Sequence, residues 1–141
     1  DMFYPEDLTR YDFKTEPRPG IYALDPATGK EIWANEAKNV CPEDRAEWCD
    51  AGISAAVTAI PGAVIAGHMD GHMRIYAADD GEVLWDFNTL REFKTVSGEL
   101  ARGGSMSGSG ATVANGMLYM NSGYGIYEHM PGNVFMAFGV K

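Results

Sequence analysis

A strand–turn–strand unit written twice restricts this chain more than any other feature. The first copy runs Gly20-Ile21-Tyr22-Ala23-Leu24-Asp25, turns through Pro26-Ala27-Thr28-Gly29-Lys30 and continues as Glu31-Ile32-Trp33. The second runs Met73-Arg74-Ile75-Tyr76-Ala77-Ala78, turns at Asp79-Asp80-Gly81 and continues as Glu82-Val83-Leu84-Trp85. In both, a Gly stands four residues before the Trp. β-Branched and aromatic residues on either side of a Gly- and Asp-rich turn read as an antiparallel hairpin. A return after about 50 residues marks a repeat whose single unit cannot bury both of its faces and must stack on its neighbours.

The intervening residues complete the pattern. Ile53 to Ile60 reads as a strand, Pro61-Gly62 as a turn, Ala63-Val64-Ile65-Ala66-Gly67 as a second strand and Asp70-Gly71 as the next turn, so the second copy finishes a four-stranded unit. A third unit starts with Ser105 to Val113, turns at Asn115-Gly116, continues as Met117 to Gly123 and ends with Asn133 to Phe138. Residues 1–19 hold three prolines and show no sustained period, which reads as a long loop. Four-stranded units repeated about an axis are propeller blades. The expected fold class is therefore all-β, a partial β-propeller of about 2.5 four-stranded antiparallel blades. Residues 1–36 hold a loop and the end of a broken blade, 37–88 a connecting loop and a complete blade, and 89–141 a last blade lacking its outer strand. An ordinary β-sandwich with accidental internal similarity is the alternative.

This strand count predicts that the chain is not stably folded alone. Unpaired strand edges invite association, and an uncovered blade face costs roughly 25 cal/mol for each Å² of apolar surface left in water. The expected completing partners are the remaining N-terminal propeller portion or neighbouring copies, three of which would approach a closed ring.

Composition agrees with many short strands and tight turns: 17 of 141 residues are Gly, against an average of about 7%. The formal charge of −9 argues against nucleic acid, whose binding draws on Lys and Arg displacing counterions. No apolar run approaches the roughly 18–20 residues of a membrane helix, and the first residues lack a secretory signal pattern, so any export signal has been removed or lies upstream. Cys41 and Cys49, in Cys-x7-Cys spacing, match neither a zinc half-site nor a heme attachment sequence. A local disulfide, two buried thiols and a metal site all stay open; a disulfide would imply an oxidising, periplasmic or secreted setting.

Residues Ala23-Leu24-Asp25-Pro26-Ala27-Thr28-Gly29-Lys30-Glu31-Ile32-Trp33 resemble the tryptophan-docking motif of pyrroloquinoline-quinone (PQQ) propellers, Ala-x-Asp-x-x-x-Gly-Lys-x-x-Trp. In that family the Trp packs on the peptide of a neighbouring blade's turn. The second copy keeps Gly81 and Trp85 but has Ile75, Ala77 and Glu82 in place of Ala, Asp and Lys, so its register is expected to hold while its hydrogen bonds change. Ser54 to Gly62, Asp70 to Arg74, Ala101 to Ser105, Asn121 to Gly125 and Met130 to Val134 look like late blades of polyvinyl-alcohol dehydrogenase and its relatives. The resemblance implies the C-terminal part of a quinoprotein alcohol dehydrogenase that oxidises a small-molecule or polymeric alcohol to a carbonyl compound. It also implies PQQ held with calcium, with cytochrome c as an electron acceptor. The carboxylate base and calcium ligands of such enzymes come from earlier blades, so no catalytic residue is assigned here.

Within the resemblance, the loop approaching each innermost strand faces the axis. Arg102-Gly103-Gly104-Ser105 and Ser54-Ala55 hold those places and become candidate cofactor contacts. Arg102 offers forked donors to carboxylates, while the glycines permit close backbone approach; a tight surface loop explains the same residues. Tyr124, between two glycines, either stacks on the cofactor or packs structurally. His68 and His72 flank a turn without a third metal ligand and read as exposed turn residues. Asp79-Asp80-Gly81 reads as a turn, since two adjacent carboxylates do not make a calcium loop. Trp48 is either an exposed partner anchor or a lid over a blade edge, and His129, beside Glu128, earns no functional reading. A non-catalytic propeller scaffold binding protein through its sheet edges is the alternative function.

Overall fold

The structure, a computed structural model, describes residues 18–125 and 129–140. Residues 1–17 of the expected loop, and Glu128, lie outside the described residues. The first repeat forms the hairpin β1 (Gly20–Leu24) and β2 (Glu31–Glu36). The full blade is β3 (Thr58–Ile60), β4 (Ala63–Gly67), β5 (His72–Ala77) and β6 (Val83–Asn88), paired in that order. A small hairpin follows, β7 (Glu92–Lys94) with β8 (Leu100–Arg102). The last sheet is β9 (Thr112–Ala114), β10 (Met117–Ser122) and β11 (Val134–Gly139). The described residues thus form all-β sheets of two, four, two and three strands in chain order, every pairing antiparallel, as expected of a partial propeller.

The two repeat copies fold alike down to their irregularities. Each has a register shift at the same place, between Ala23 and Leu24 in one and between Ile75 and Tyr76 in the other. In each turn the Gly N–H donates to a carbonyl four residues back, Gly29 to Asp25 and Gly81 to Ala77. The side-chain bonding differs, as the substitutions require. Asp25 Oδ1 accepts from the Ala27 and Thr28 N–H groups, whereas Ala77 has nothing to offer and Asp80 Oδ1 accepts from Glu82 N–H instead. Gly81 adopts φ +74°, where a Cβ is disfavoured.

Docking joins the first hairpin to the full blade. The Trp33 indole Nε1–H donates to Ala78 O at 3.0 Å, and Asn35 Nδ2 donates to Gly81 O at 2.9 Å. The ring lies so close that a methyl group on Gly81 would stand 2.5 Å from Trp33 Cε3. Ile21, Ala66 and Tyr76 are buried in the same seam, with Ile53 and Val64 beside them. The next seam, between the full blade and the last sheet, buries Ala55, Ile65, Met73, Met106, Ala111 and Met120. Methionine suits this gap because its unbranched chain fills irregular space, and Gly67 makes room for Met120 and Met106.

Three expectations change. The innermost strand of the full blade starts at Thr58 rather than Ile53, because Ala56 N–H donates sideways to Gly108 O. The last sheet's first strand is limited to Thr112–Ala114, since Ser105 and Met106 bond to Met130 and His68 instead of a ladder. The β7–β8 hairpin was not expected; its Thr95-Val96-Ser97-Gly98 turn, with Gly98 at φ +88° and Thr95 Oγ1 donating to Glu99 O, is the signal that would have revealed it. Cys41 and Cys49 form a disulfide with Cα atoms 5.7 Å apart, which closes the alternatives left by their spacing.

The two motif glycines differ in their surroundings. Trp33→Ala should cost about 3 kcal/mol, in the range for removing a packed Trp. Gly81→Ala should also destabilise, through both the positive φ and the clash with the indole, while Gly29→Ala meets no neighbouring atom and suffers the backbone term alone. Urea denaturation of the three variants checks this ordering; equal losses at Gly29 and Gly81 would contradict it.

Candidate functional site

Antiparallel order sends the tight turns at 26–29, 61–62, 79–81 and 115–116 to one end of the blades. The long connectors 37–57 and 89–111, with the loop 68–71 and residues 123–125 and 129–133, lie toward the other. A chain of buried polar contacts holds this connector end together. Ser105 Oγ donates to Met69 O at 2.6 Å, and Ser105 N–H donates to Met130 O at 2.9 Å. Met130 N–H in turn donates to Trp48 O at 3.0 Å, with Ser105 Oγ 3.1 Å away. Ser122 Oγ donates to Gly104 O at 2.7 Å and accepts from Gly104 N–H at 3.0 Å. Thr89 Oγ1 donates to Gly71 O and lies 2.7 Å from Ser122 Oγ. Buried polar groups of this kind are costly unless paired, and here each pairing joins segments far apart in the chain.

A cleft of about 380 Å³ opens beside these contacts, lined by Arg45, Trp48, Arg102, His129, Met130 and Pro131. Its floor is apolar and its charge is positive, unusual in a chain of net charge −9. Asn133 fixes the Arg102 backbone from both sides: its N–H donates to Arg102 O at 2.7 Å and its Oδ1 accepts from Arg102 N–H at 2.9 Å. Among the described residues neither Arg45 nor Arg102 is in an ion pair. Behind the cleft, His129 Nδ1 and Ser107 Oγ are buried and have no hydrogen-bond partner among the described residues. Such an arrangement can bind an anionic group over an apolar surface. No cluster of three or more His, Cys, Asp or Glu side chains suited to a metal occurs among the described residues.

The residues singled out from sequence separate into two sets. Arg102 is exposed at the end of β8 and faces the cleft. Gly103 and Gly104 are buried and face protein: a Cβ on Gly103 would lie 2.0 Å from Thr89 O, and one on Gly104 2.3 Å from Met130 O. Ser105 is buried within the polar contacts already described. Ser54 is exposed on its connector, whereas Ala55 packs in the seam core. Tyr124 is exposed and its Oη donates to Asn133 O at 2.8 Å, tying it to the residue that fixes Arg102. Sequence reasoning missed Arg45 altogether and gave Trp48 and His129 no place beside Arg102. The adjacent Cys49 was the available clue, since a disulfide brings its flanking residues to one place.

Among curated proteins, the chain is 44% identical to a polyvinylalcohol dehydrogenase of a Pseudomonas species, in a match covering 87% of this chain and 21% of that protein. It is 37% identical to a polyvinylalcohol dehydrogenase of Sphingopyxis sp. (strain 113P3), covering 90% of this chain and 21% of that one. The chain is a relative of polyvinylalcohol dehydrogenases. It spans about a fifth of the length of the curated relatives it matches. No family model matches it.

In this relative of polyvinylalcohol dehydrogenases the two turn histidines are not the exposed pair expected. His68 is buried, with Nε2 2.8 Å from the Tyr76 hydroxyl and with no partner for Nδ1 among the described residues. His72 Nδ1 lies 2.6 Å from Asp86 Oδ1. Arg74 bridges the fully buried Asp70 at 2.9 Å and Asp86 at 3.0 Å. Burial, with the Arg74 charge adding to it, pushes the His68 pKa down from 6.5 to about 4. Between those values the unfolded chain takes up a proton that the folded chain refuses, so stability is full above pH 6.5 and falls as pH drops toward 4. The loss is at most about 3 kcal/mol. His68→Gln should flatten this part of the stability profile, measured by urea titrations from pH 4 to 7; an unchanged slope would assign the acid sensitivity elsewhere.

Proposed function

We propose that this chain is the C-terminal section of a PQQ-dependent alcohol dehydrogenase, docking neighbouring blades and forming part of the cofactor wall. The identity of 44% to a polyvinylalcohol dehydrogenase carries this reading and favours it over a non-catalytic scaffold. The same reading divides the chain into the end of one blade (1–36), a complete blade (37–88) and a last blade (89–141). The alcohol, small or polymeric, gives up two electrons and two protons in becoming a carbonyl compound; PQQ, when bound, supplies the acceptor for the electrons.

The positively charged cleft fits a flat, anionic group. Arg102 binds a carboxylate through its guanidinium fork, and Asn133 holds its backbone in place. Tyr124 flanks the wall, and Ser54 presents a hydroxyl from the neighbouring connector while Ala55 anchors that connector in the core. Gly103, Gly104 and Ser105 act one step behind, keeping the connector close to Thr89, Met130 and Met69. Calcium and the base that takes the alcohol proton come from residues outside this chain, and a cytochrome c takes the electrons onward. The disulfide supports a periplasmic or secreted setting, and no helix among the described residues is long and apolar enough to cross a membrane.

The test uses the full-length protein carrying this chain, prepared without cofactor and then loaded with PQQ and calcium. Dye-linked oxidation of polyvinyl alcohol or small secondary alcohols is expected only after loading. Arg102→Ala should weaken PQQ binding by about 10- to 100-fold, the loss of a charge-assisted hydrogen bond worth roughly 1.5–3 kcal/mol. No alcohol oxidation after loading, with PQQ unbound, would overturn the proposal.

A further inference from the structure

The segment closed by Cys41 and Cys49 contributes no strand and consists of a single short 3-10 turn, Glu43–Arg45, followed by Ala46, Glu47 and Trp48. Most of its residues are exposed. Hydrophobic burial therefore does little to hold it, and a polar loop of this kind retains many conformations unless it is tied down. Two ties are present. The disulfide joins its ends, with Cys49 itself buried. Farther along, Trp48 O accepts the Met130 N–H, which fastens the segment to the β10–β11 loop. Within it, Arg45 N–H donates to Pro42 O and Trp48 N–H to Arg45 O, both at 2.9 Å.

Both ties bear on the cleft. Arg45 and Trp48 come from the disulfide segment; Arg102, His129, Met130 and Pro131 come from the last blade and the hairpin before it. A volume near 380 Å³ falls within the size range of small-molecule sites. Two guanidinia arriving from separate segments suit a ligand with more than one carboxylate. Trp48 is 42% exposed, which leaves indole surface on which a flat ring can stack.

We propose that Arg45 and Trp48 complete this cleft as a receptor for a flat polycarboxylate, and that the Cys41–Cys49 bond is the element that positions them. This rests on the cofactor reading above and extends it to residues of the disulfide segment. Arg45 binds a second carboxylate, Trp48 covers the ring, and the cross-link keeps both in place before the ligand arrives. Preorganisation of this kind gains affinity by removing the ordering cost of the loop.

The experiment measures binding to the full-length protein carrying this chain, using two probes: PQQ and the redox-inert benzene-1,3,5-tricarboxylate. Arg45→Ala and Trp48→Ala are expected to weaken both probes about tenfold or more, with Trp48→Phe restoring most of the loss. The double variant Cys41→Ser/Cys49→Ser should weaken both about tenfold while hydrogen exchange in β3 to β6 stays as slow as in the parent. If the double variant loses that protection, affinity in the two single alanine variants decides. Parent-like affinity in Arg45→Ala and Trp48→Ala, with PQQ still bound and still sensitive to Arg102→Ala, overturns this inference and leaves the cofactor reading standing. Tight binding of the tricarboxylate without PQQ binding overturns the cofactor reading while supporting the cleft. A folded double variant with parent-like affinity for both probes overturns the positioning role of the disulfide.

Discussion

The contact of the Trp33 indole with the turn at Ala78 and Gly81 is the constraint on which the order of the sheets depends. A single antiparallel sheet leaves one face in water, and the hydrophobic gain from covering that face is not directional. Packing alone would let two sheets slide. The indole N–H bonded to Ala78 O, and Asn35 bonded to Gly81 O, convert that sliding contact into a fixed register. The requirement for Gly follows from the same closeness, since the ring occupies the space a side chain would need.

The second Trp shows how one motif position serves two local solutions. Trp85 stacks on Phe87 with ring centres 5.3 Å apart and meets Phe138 edge-on at the same distance. Phe87 carries the contact onward to Phe93 and Phe138, and Arg91 lies over both Phe87 and Phe93. An aromatic layer thus runs from the outer strand of the full blade to β11 and the β7–β8 hairpin. Ala101, Val134 and Met136 are buried beneath it. The hairpin has only three residues per strand, too little to be stable alone, and its existence depends on Phe93 and Ala101 entering this layer.

Local pattern made the blades legible and left the connector end largely unread. Hairpin turns announce themselves through glycine at fixed offsets and through alternating side chains, and those signals lie within a few residues of one another. Asp25-Pro26-Ala27-Thr28-Gly29 and Asn115-Gly116 are examples. The burial of His68 depends on Met106 N–H reaching its carbonyl and on Tyr76 meeting its ring, contacts with no signature in the turn itself. Gly103 and Gly104 look like residues freeing a surface for a ligand, yet the backbone that approaches them is that of Thr89 and Met130. A glycine reports that something comes close without saying what. Arg102 was legible as a candidate, but its companions Arg45 and Trp48 arrive through a covalent link whose pairing the spacing alone left undecided.

Division of labour between the two ends follows from how each is stabilised. At the turn end, short hairpins leave few degrees of freedom, and the docking bonds join one blade to the next. At the connector end the loops are long, and their order comes from buried hydroxyls, carbonyls and N–H groups satisfied across segments. Such contacts are directional, so each one specifies a position as well as contributing stability. Ser105 reaches Met69 from the full blade and Met130 from the last, and Met130 reaches Trp48 in the disulfide segment. A displacement of any one loop would therefore unpair groups in the other two. Loops held by this kind of mutual dependence can present charged side chains at fixed places on an otherwise acidic molecule, which is the physical condition a rigid anion-binding wall requires.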